Sequence, residues 1–416
     1  MLFINNENLI VNDIAEAQYY IINKITYRKT YINRDMYLFL KYVDMNNCMI
    51  ENPKFRGIIE ELLQKNILIE KERYEKWENF RVVDKKSLKR LFVEITKKCN
   101  LSCLHCYNES GLQYKDYMSQ EKIKKLIDDA YDMGTIYFDI TGGEPFVRKD
   151  IIEILKYAVK RGFIVSIYSN MTVINEEQLL FIENNYIEII TSLDFSEEKK
   201  HDALRGREGA FKKTIDALEV AKKIGCNIRI NSMINDKAET EINELLHLVK
   251  GYTDKYVTNI IIPTGRAKNM YSFDNYNELY KIYAYLNSNS QINEFNAKKA
   301  QQMDFSNMIY DYCGIAEKFI FVDYKGKFIL CPSLRSEDDE SFCFGNITDS
   351  SLIDAVSKMR EKDVGCKYLK ECKVAEKCKG GCRSRAFILH HDINAPDSIM
   401  CKIYGILIEE LGEKIC

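Results

Sequence analysis

Three cysteines within eight residues constrain this chain more than any other feature of its sequence. Cys99, Cys103 and Cys106 follow the apolar run 91–96 and precede a helical pattern. Thiolates at such a strand-to-loop junction can close around one metal centre, and they suit both zinc and iron–sulfur clusters. A structural zinc site usually pairs two Cys-x2-Cys motifs, whereas no cysteine follows this loop until Cys226. Three thiolates therefore leave one position of the metal centre open.

The spacing Cys-x3-Cys-x2-Cys, with His105 before the third thiol, resembles the signature of the radical S-adenosylmethionine (SAM) enzymes. The resemblance implies that the three cysteines hold a [4Fe–4S] cluster and that SAM chelates its open iron through amine and carboxylate groups. A reduced cluster then cleaves SAM to methionine and a 5′-deoxyadenosyl radical, which takes a hydrogen atom from an unactivated C–H bond. A zinc site, or a set of buried thiols, is the alternative.

Composition limits the class of protein and its compartment. The chain has 416 residues, of which 46% are hydrophobic, and this is enough for two or three domains. A net charge of -2 gives no whole-chain argument for a nucleic-acid or membrane partner. The first residues lack a basic segment with a long apolar core, and no run of about 18 apolar residues occurs. We therefore expect a cytoplasmic protein whose 14 cysteines serve metal centres rather than disulfides.

Alternation of strands and helices from residue 91 to about 290 predicts an α/β fold. Helical patterns that end at Gly134, Gly225 and Gly251 lie among the strand-like runs. The six runs are 91–96, 136–140, 164–168, 187–193, 227–233 and 257–262. Six β/α units predict a parallel sheet curved into a partial (β/α)6 TIM-like barrel, with chemistry at the C-terminal strand ends. The predicted domains are 1–80, a barrel over 81–300 and a cysteine-rich iron–sulfur domain over 301–416.

The N-terminal segment predicts a small recognition domain. Strand candidates at 2–4, 9–11 and 25–32, with helical spacing at 36–43 and 58–63, suggest a winged-helix-like module. In pattern and position it resembles the peptide-recognition domain of pyrroloquinoline quinone biosynthesis, which binds a leader peptide as an added edge strand. A packing extension of the barrel is the alternative.

Loops after the second and third strands carry predicted cofactor contacts. The run that contains Gly142, Gly143 and Glu144 resembles the family's segment that hydrogen-bonds the methionine amine of SAM. Ser169 and Asn170 match the position at which the family contacts the sugar or methionine part. Outside this family pattern, the glycine-rich run reads as an ordinary turn.

Later loops add further candidates. Ser192 and Arg205 are predicted to bind the methionine carboxylate through hydroxyl and guanidinium groups. Met171 stands where the family has glycine, and this difference argues against the SAM contact predicted at Ser169 and Asn170. A solvated or helix-capping role is expected for Asp202, and residues 263–267 are expected to line the cofactor cleft.

The C-terminal third carries a second cysteine pattern. It resembles the SPASM extension of radical SAM enzymes, in which seven cysteines hold two auxiliary [4Fe–4S] clusters. The seven matching positions are Cys313, Cys331, Cys366, Cys372, Cys378, Cys382 and Cys401. Residues 323–327 predict a hairpin turn that sets Cys313 and Cys331 on adjoining segments. The pattern departs from the family once, because Cys366 lies six residues before Cys372 instead of three.

By family analogy, Cys313, Cys331 and Cys382 hold the nearer auxiliary cluster and the other four thiols hold the outer one. The nearer cluster then lacks one ligand. Cys343 completes it, or the position stays open for a substrate sulfur, and spacing alone leaves both possibilities.

The resemblance covers about residues 91–405 and implies three [4Fe–4S] clusters and SAM. The leading hypothesis is oxidative cross-linking of a ribosomally made precursor peptide, as a cysteine thioether to a carbon of an acceptor residue, with a flavodoxin- or ferredoxin-type electron donor. A carbon–carbon cross-link is the rival. Sulfatase-type oxidation is disfavoured because Pro332 stands where those relatives have a carboxylate. A redox-sensing DNA-binding regulator is also disfavoured, because the helices near 34–43 and 52–66 lack a basic stripe.

Overall fold

Three sheets and a set of helices make up the part of the chain that a computed structural model describes, residues 1–46, 53–233, 239–259, 261–270, 314–335 and 340–403. The strands are β1 (Leu2–Ile4), β2 (Asn8–Asp13), β3 (Gln18–Asn23), β4 (Lys29–Ile32), β5 (Leu68–Glu70), β6 (Phe80–Val83), β7 (Arg90–Glu94), β8 (Tyr137–Thr141), β9 (Ile164–Tyr168), β10 (Glu188–Ser192), β11 (Ile228–Met233), β12 (Tyr256–Asn259), β13 (Phe319–Val322), β14 (Lys327–Ile329) and β15 (Cys343–Asn346).

The helices are α1 (Arg34–Asn46), α2 (Arg56–Gln64), α3 (Gln120–Asp132), α4 (Ile151–Lys160), α5 (Glu176–Asn184), α6 (Glu198–Arg205), α7 (Ala210–Ile224), α8 (Glu239–Lys250), α9 (Leu352–Arg360), α10 (Ala375–Cys378), α11 (Arg383–His390) and α12 (Ser398–Ile403). None of these helices, which all lie in the described residues, is long and apolar enough to cross a bilayer.

The six predicted strands are confirmed as six neighbouring parallel strands. They lie in the order β12-β11-β10-β9-β8-β7, and helices connect them along the chain. In β7, Leu91 and Val93 belong to the hydrophobic core that the helices share, whereas the alternate residues Phe92 and Glu94 lie outside that core. The α/β fold class is therefore confirmed, and the strands end together at one mouth where the predicted cofactor loops begin.

The cysteine-rich region continues the same sheet. Strand β13 pairs in parallel with β7, and β14 and β15 follow it as antiparallel neighbours. The predicted hairpin turn is confirmed between β13 and β14, where Gly326 has a φ of +85° that favours glycine. This pairing brings the loop after β14, which starts at Cys331, close to β7, the strand from which the cysteine loop leaves.

The N-terminal segment packs against the opposite end of the barrel. Its sheet has the order β4-β3-β2-β6, and β1 pairs with β5. One face of this sheet forms a core with α1 and α2 through Ile10 and Ile21. The other face, which includes Leu9 and Ile22, shares a core with Tyr137 at the start of β8. The boundary near residue 80 stays a prediction, since the segment shares apolar contacts with the barrel.

The strand expected near residues 25–32 is only partly correct. A strand forms over β4, but the preceding residues make a turn because Asn23 Oδ1 accepts the backbone N–H groups of Ile25 (3.1 Å) and Thr26 (2.9 Å). Tyr27 in this turn lies against Tyr137, with ring centroids 6.5 Å apart. Strand β3 was missed by the sequence pattern.

Candidate active site

The glycines after β8 let that strand's loop pack directly on residues 96–98, which lead into the cysteine loop (residues 99–106). A Cβ on Gly142 would lie 2.6 Å from the Thr96 carbonyl oxygen, and one on Gly143 would lie 2.2 Å from that of Lys98. The N–H of Gly143 donates to the Thr96 oxygen at 2.8 Å, and the N–H of Glu144 donates to the Lys98 oxygen at 2.8 Å. The glycines are therefore required because the backbone at this point packs closely against residues 96–98 of the same chain.

Arg266 holds the other side of the cysteine loop. Its Nε donates to the Cys103 carbonyl oxygen at 2.7 Å, and its Nη1 donates to that of Ser110 at 3.0 Å. Its backbone N–H donates to the Cys106 carbonyl oxygen at 3.0 Å. Gly265 has a φ of +55°, and a Cβ there would lie 2.6 Å from the same Cys106 oxygen. The sequence assigned this segment only to the lining of the cleft, because nothing local distinguishes an arginine that clamps a distant loop.

The three thiols of the cysteine loop lie together. Burial raises the pKa of Cys99 to about 12, and the neighbouring Glu144, Cys103 and Cys106 add to the effect. Arg205 Nη1 lies 3.9 Å from Cys103 Sγ. Thiols of raised pKa are protonated in the metal-free chain, so metal binding releases protons.

Glu144 joins the loops that follow β8 and β9. Its buried carboxylate accepts hydrogen bonds from Phe146 N (3.0 Å), Ser169 Oγ (2.9 Å) and Asn170 N (2.7 Å). Burial raises its pKa to about 7, although the three donors oppose that shift. Asn170 Nδ2 in turn donates to Asn100 Oδ1 at 3.0 Å, inside the cysteine loop. These predicted cofactor residues thus form one network, and their contacts to SAM stay predictions.

Met171 adopts the backbone conformation that explains the family's glycine at this position. Its φ is +59°, which costs a residue with a Cβ roughly 1–2 kcal/mol. The side chain is only 1% exposed, and burial of a methionine contributes roughly 1.5–3 kcal/mol. The two effects are of similar size, so methionine is tolerated without a large loss of stability.

Arg205 is committed to a neighbour within the chain. Its Nη2 donates to Asp194, whose other oxygen accepts the Met233 N–H at 2.8 Å. Ser192 pairs in register with Asn231 at the ends of β10 and β11. Among the described residues, Arg205 Nε and Asn231 Oδ1 are buried without a hydrogen-bond partner. Such orphaned polar atoms at the barrel mouth fit the polar groups of a cofactor like SAM.

The capping role expected for Asp202 is confirmed. Its carboxylate accepts the N–H of Gly209 (2.6 Å) and that of Phe211 (2.7 Å), at the start of α7. This carboxylate therefore serves the helix rather than the cleft.

Four C-terminal thiols converge on one pocket, although Cys366 lies farther from Cys372 in sequence than the family pattern predicts. The pocket also contains Asp397, and its four thiols are Cys366, Cys372, Cys378 and Cys401. Each cysteine of a cluster binds a different iron, so cluster thiols stand farther apart than the ligands of one ion. Among the described residues, no three His, Cys, Asp or Glu side chains are grouped to hold a single metal ion.

The remaining predicted ligands are divided between two places. Burial and, to a smaller extent, the nearby Cys382 thiol raise the pKa of the Cys331 thiol to about 11. Cys343 begins β15 and lines a separate pocket, with its Sγ 3.6 Å from Gly345 O. Cys313 lies outside the described residues.

Residues 93–261 match the sequence model of the Radical SAM superfamily. This segment is a radical SAM domain. It contains the cysteine loop and the loops after β8 to β11, and such domains work with a [4Fe–4S] cluster and SAM. The three thiols and the orphaned polar atoms at the strand ends fit both groups. The recognition made from the cysteine spacing is confirmed.

Curated relatives match different lengths of the chain. The antilisterial bacteriocin subtilosin biosynthesis protein AlbA of Bacillus subtilis is 32% identical over 42% of this chain. Mycofactocin maturase MftC of Mycobacterium tuberculosis is 25% identical over 73% of this chain and 80% of MftC. The chain spans about half the length of the first relatives it matches, from 40% of AlbA to 51% of an AdoMet-dependent heme synthase from Methanosarcina barkeri.

The fold likeness extends over nearly the whole chain. The crystal structure of Streptococcus suis SuiB bound to precursor peptide SuiA superposes with a TM-score of 0.65 at 17% identity. The match covers 96% of this chain and 99% of that chain. At this identity the likeness shows a shared fold, including the segments on both sides of the radical SAM domain.

Proposed function

We propose that this chain is a SPASM-type peptide maturase that oxidatively cross-links a ribosomally made precursor peptide. The bond we propose is a thioether between a cysteine sulfur and a carbon of an acceptor residue. The observation that carries the proposal is the pairing of β13 with β7, which sets the loop after Cys331 beside the cysteine loop. Arg335 of the first loop donates to Asn108, two residues after Cys106, so both thiol-bearing loops border one space.

The cysteines form three separate sets, and we propose that each set binds one [4Fe–4S] cluster. The sets lie in the cysteine loop, at Cys331 with Cys382, and in the four-thiol pocket. The cysteine loop would hold the cluster that, together with SAM, supplies a radical able to remove a substrate hydrogen atom. The C-terminal thiols would hold auxiliary clusters, which could take up the electron released when the deprotonated sulfur bonds to that carbon. An electron donor of the flavodoxin or ferredoxin type reduces the first cluster.

The chain's own residues contribute position. Arg266, Gly143 and Glu144 fix the cysteine loop through hydrogen bonds to its backbone or to the residues just before it. Arg205 is held by Asp194, and its Nη1 lies 3.9 Å from Cys103 Sγ. Its buried Nε–H has no hydrogen-bond partner among the described residues and can donate to an anionic group. Holding reactants in a fixed geometry lowers the barrier of a radical step because little further entropy is lost on reaching the transition state, and it also keeps the wrong hydrogen atoms out of reach.

The relatives support a peptide as the substrate. AlbA serves bacteriocin biosynthesis, MftC is a maturase, and SuiB binds a precursor peptide. A carbon–carbon cross-link is the second candidate, because the names of these relatives do not say which type of bond is formed.

Mass spectrometry of the precursor peptide tests the function. Anaerobic reaction with SAM and a reductant should remove two hydrogens from the peptide and leave one cysteine resistant to thiol alkylation after full denaturation. Loss of two hydrogens with every cysteine still alkylated would replace the thioether by a carbon–carbon bond. An unmodified peptide, with SAM cleaved, would contradict peptide cross-linking.

The N-terminal segment offers a surface for the leader of that peptide. Strand β4 is one of the two edge strands of its sheet, and Tyr31 on it is 56% exposed. On α1, Leu38, Tyr42 and Met45 are exposed at spacings of four and three residues, so they form one apolar stripe. An extended peptide added to β4 gains main-chain hydrogen bonds, and the stripe accepts its apolar side chains.

Charged substitutions in this stripe should weaken leader binding. We expect the double variant Leu38→Asp, Tyr42→Asp to bind the leader at least about tenfold more weakly, or ~1.4 kcal/mol, in a fluorescence titration. Leu180→Asp, at a leucine of similar exposure on α5, is the matched control and should bind as the wild type does. Equal affinity of all three proteins would return the segment to a packing role.

A further inference from the structure

A pocket lies between the cysteine loop and the C-terminal hairpin. Its wall contains none of the seven residues predicted to contact SAM, although it includes Cys343 and part of segment 263–267. Its wall includes Lys97, Tyr107, Asn108, Tyr324, Arg335 and Cys343. We call it the mouth pocket. Tyr107 and Asn108 directly follow Cys106, and residues 332–335 of the wall directly follow Cys331. The mouth pocket is therefore where the proposed function requires substrate.

Most charges around the mouth pocket are neutralised within the chain. Arg335 donates to the buried Glu94, which also accepts the Tyr324 N–H at 3.2 Å. Lys327 pairs with Glu340 at 2.7 Å. Asp323 lies 4.0 Å from Arg335 Nε and also accepts the backbone N–H of Lys327 at 2.8 Å. These groups hold the wall together and have little electrostatic attraction left for a ligand.

Lys97 differs from these groups. The residue is only 8% exposed, yet none of the described carboxylates forms an ion pair with its ammonium. The ammonium lies 4.3 Å from the ring centroid of Tyr114 and 5.3 Å from that of Tyr324. With two aromatic rings beside it and no carboxylate of the described residues paired to it, this ammonium can form a charge-assisted hydrogen bond to an anion in the mouth pocket.

The position of Lys97 is fixed before any ligand arrives. Its carbonyl oxygen accepts the Gly111 N–H at 3.2 Å, and the next residue, Lys98, pairs with Asp116 at 2.9 Å. The Lys98 carbonyl oxygen also receives the Glu144 N–H. These contacts fix the backbone at Lys97, and its side chain packs between the rings of Tyr114 and Tyr324, so less conformational entropy is lost when a ligand binds. Glu109 is exposed at the rim of the mouth pocket, where water and salt screen its charge.

We infer that the mouth pocket binds a carboxylate of the substrate peptide against Lys97. The carboxylate comes from an aspartate or glutamate side chain near the modified residue, or from the peptide's C-terminus. Tyr107 and Tyr324 supply the aromatic walls beside it. The inference rests on the proposed function and adds a substrate class to it, peptides with an acidic group within reach of the reacting carbon.

Protection of Lys97 from chemical modification tests the inference in the full-length reconstituted protein. The probes are N-acetyl-glutamate amide, with a side-chain carboxylate, N-acetyl-glutamine, with a terminal carboxylate, and the neutral N-acetyl-glutamine amide. Reductive methylation followed by peptide mass spectrometry gives the rate at Lys97. We expect a saturating acidic probe to slow that rate about tenfold and the neutral probe to leave it unchanged. The acid that protects identifies the source of the carboxylate.

Lys125, whose side chain is 71% exposed, is the internal control and should react equally in every arm. Lys97→Arg should keep the preference for acidic over neutral probes in a binding titration, and Lys97→Met should lose it. Equal rates at wild-type Lys97 with all three probes would overturn the inference. SAM cleavage without peptide, measured on the same wild-type preparation, separates failure of the carboxylate site from failure of the radical SAM function. If SAM is cleaved but no probe protects Lys97 from methylation, the carboxylate site is wrong and the radical SAM function still holds.

Discussion

Replacing Cys99, Cys103 and Cys106 together with alanine is expected to remove about four irons per chain and to abolish cleavage of SAM. The loop that carries these thiols is held through backbone groups, from Arg266 on one side and from the loop after β8 on the other. Alanine keeps those hydrogen bonds. The loss therefore reports the missing thiolates rather than a collapsed barrel.

Iron analysis and chromatography of 5′-deoxyadenosine, both under anaerobic conditions, measure the two effects. Cys226→Ala is the matched control. Within the described chain, the half-buried Cys226 thiol makes one side-chain hydrogen bond, to Leu179 O at 3.5 Å. This variant should keep wild-type iron and cleavage. Cleavage of SAM by the triple variant would end the radical assignment.

The barrel was predictable because its information is local. In α3 the apolar residues Ile123, Leu126, Ile127 and Ala130 recur at helical spacing, and all four are buried. The cysteine spacing is equally local, since three thiols on one loop need no partner elsewhere to be recognised. Both signals are periods or distances along the chain, and a sequence displays these directly.

The contacts that position the site were not predictable, since they join residues far apart in sequence. Arg335 and Glu94 are separated by 241 positions, and Arg266 and Cys103 by 163. Nothing near either arginine distinguishes it from a solvated one. Asn23 shows the same limit at short range, because its side-chain turn interrupts a run whose alternation predicted a strand.

Gly143→Ala is expected to have an effect close to that of losing the cysteines, although it removes no ligand. The new Cβ would lie 2.2 Å from the Lys98 carbonyl oxygen and 2.7 Å from Cys99 Cβ, and the first of these is a backbone atom that no rotamer change can move. Overpacking of this kind costs about 1–3 kcal/mol, and the two backbone hydrogen bonds to Thr96 and Lys98 are worth ~1 kcal/mol each. We expect the cysteine loop to shift away from the new methyl group, because the clash with a backbone atom cannot otherwise be relieved.

A shift of about 1 Å at Cys99 misplaces the cluster relative to SAM, and misplacement of that size costs about 10²-fold in rate. We therefore expect Gly143→Ala to stay folded, to lose SAM cleavage by about that factor and to bind less iron. Gly57→Ala is the matched control: nothing lies within 4 Å of its Cβ, and its place in α2 favours alanine. Circular dichroism, iron analysis and the cleavage assay on both variants decide the matter. Wild-type cleavage by Gly143→Ala would mean that the contact between the two loops does not set the position of the cluster.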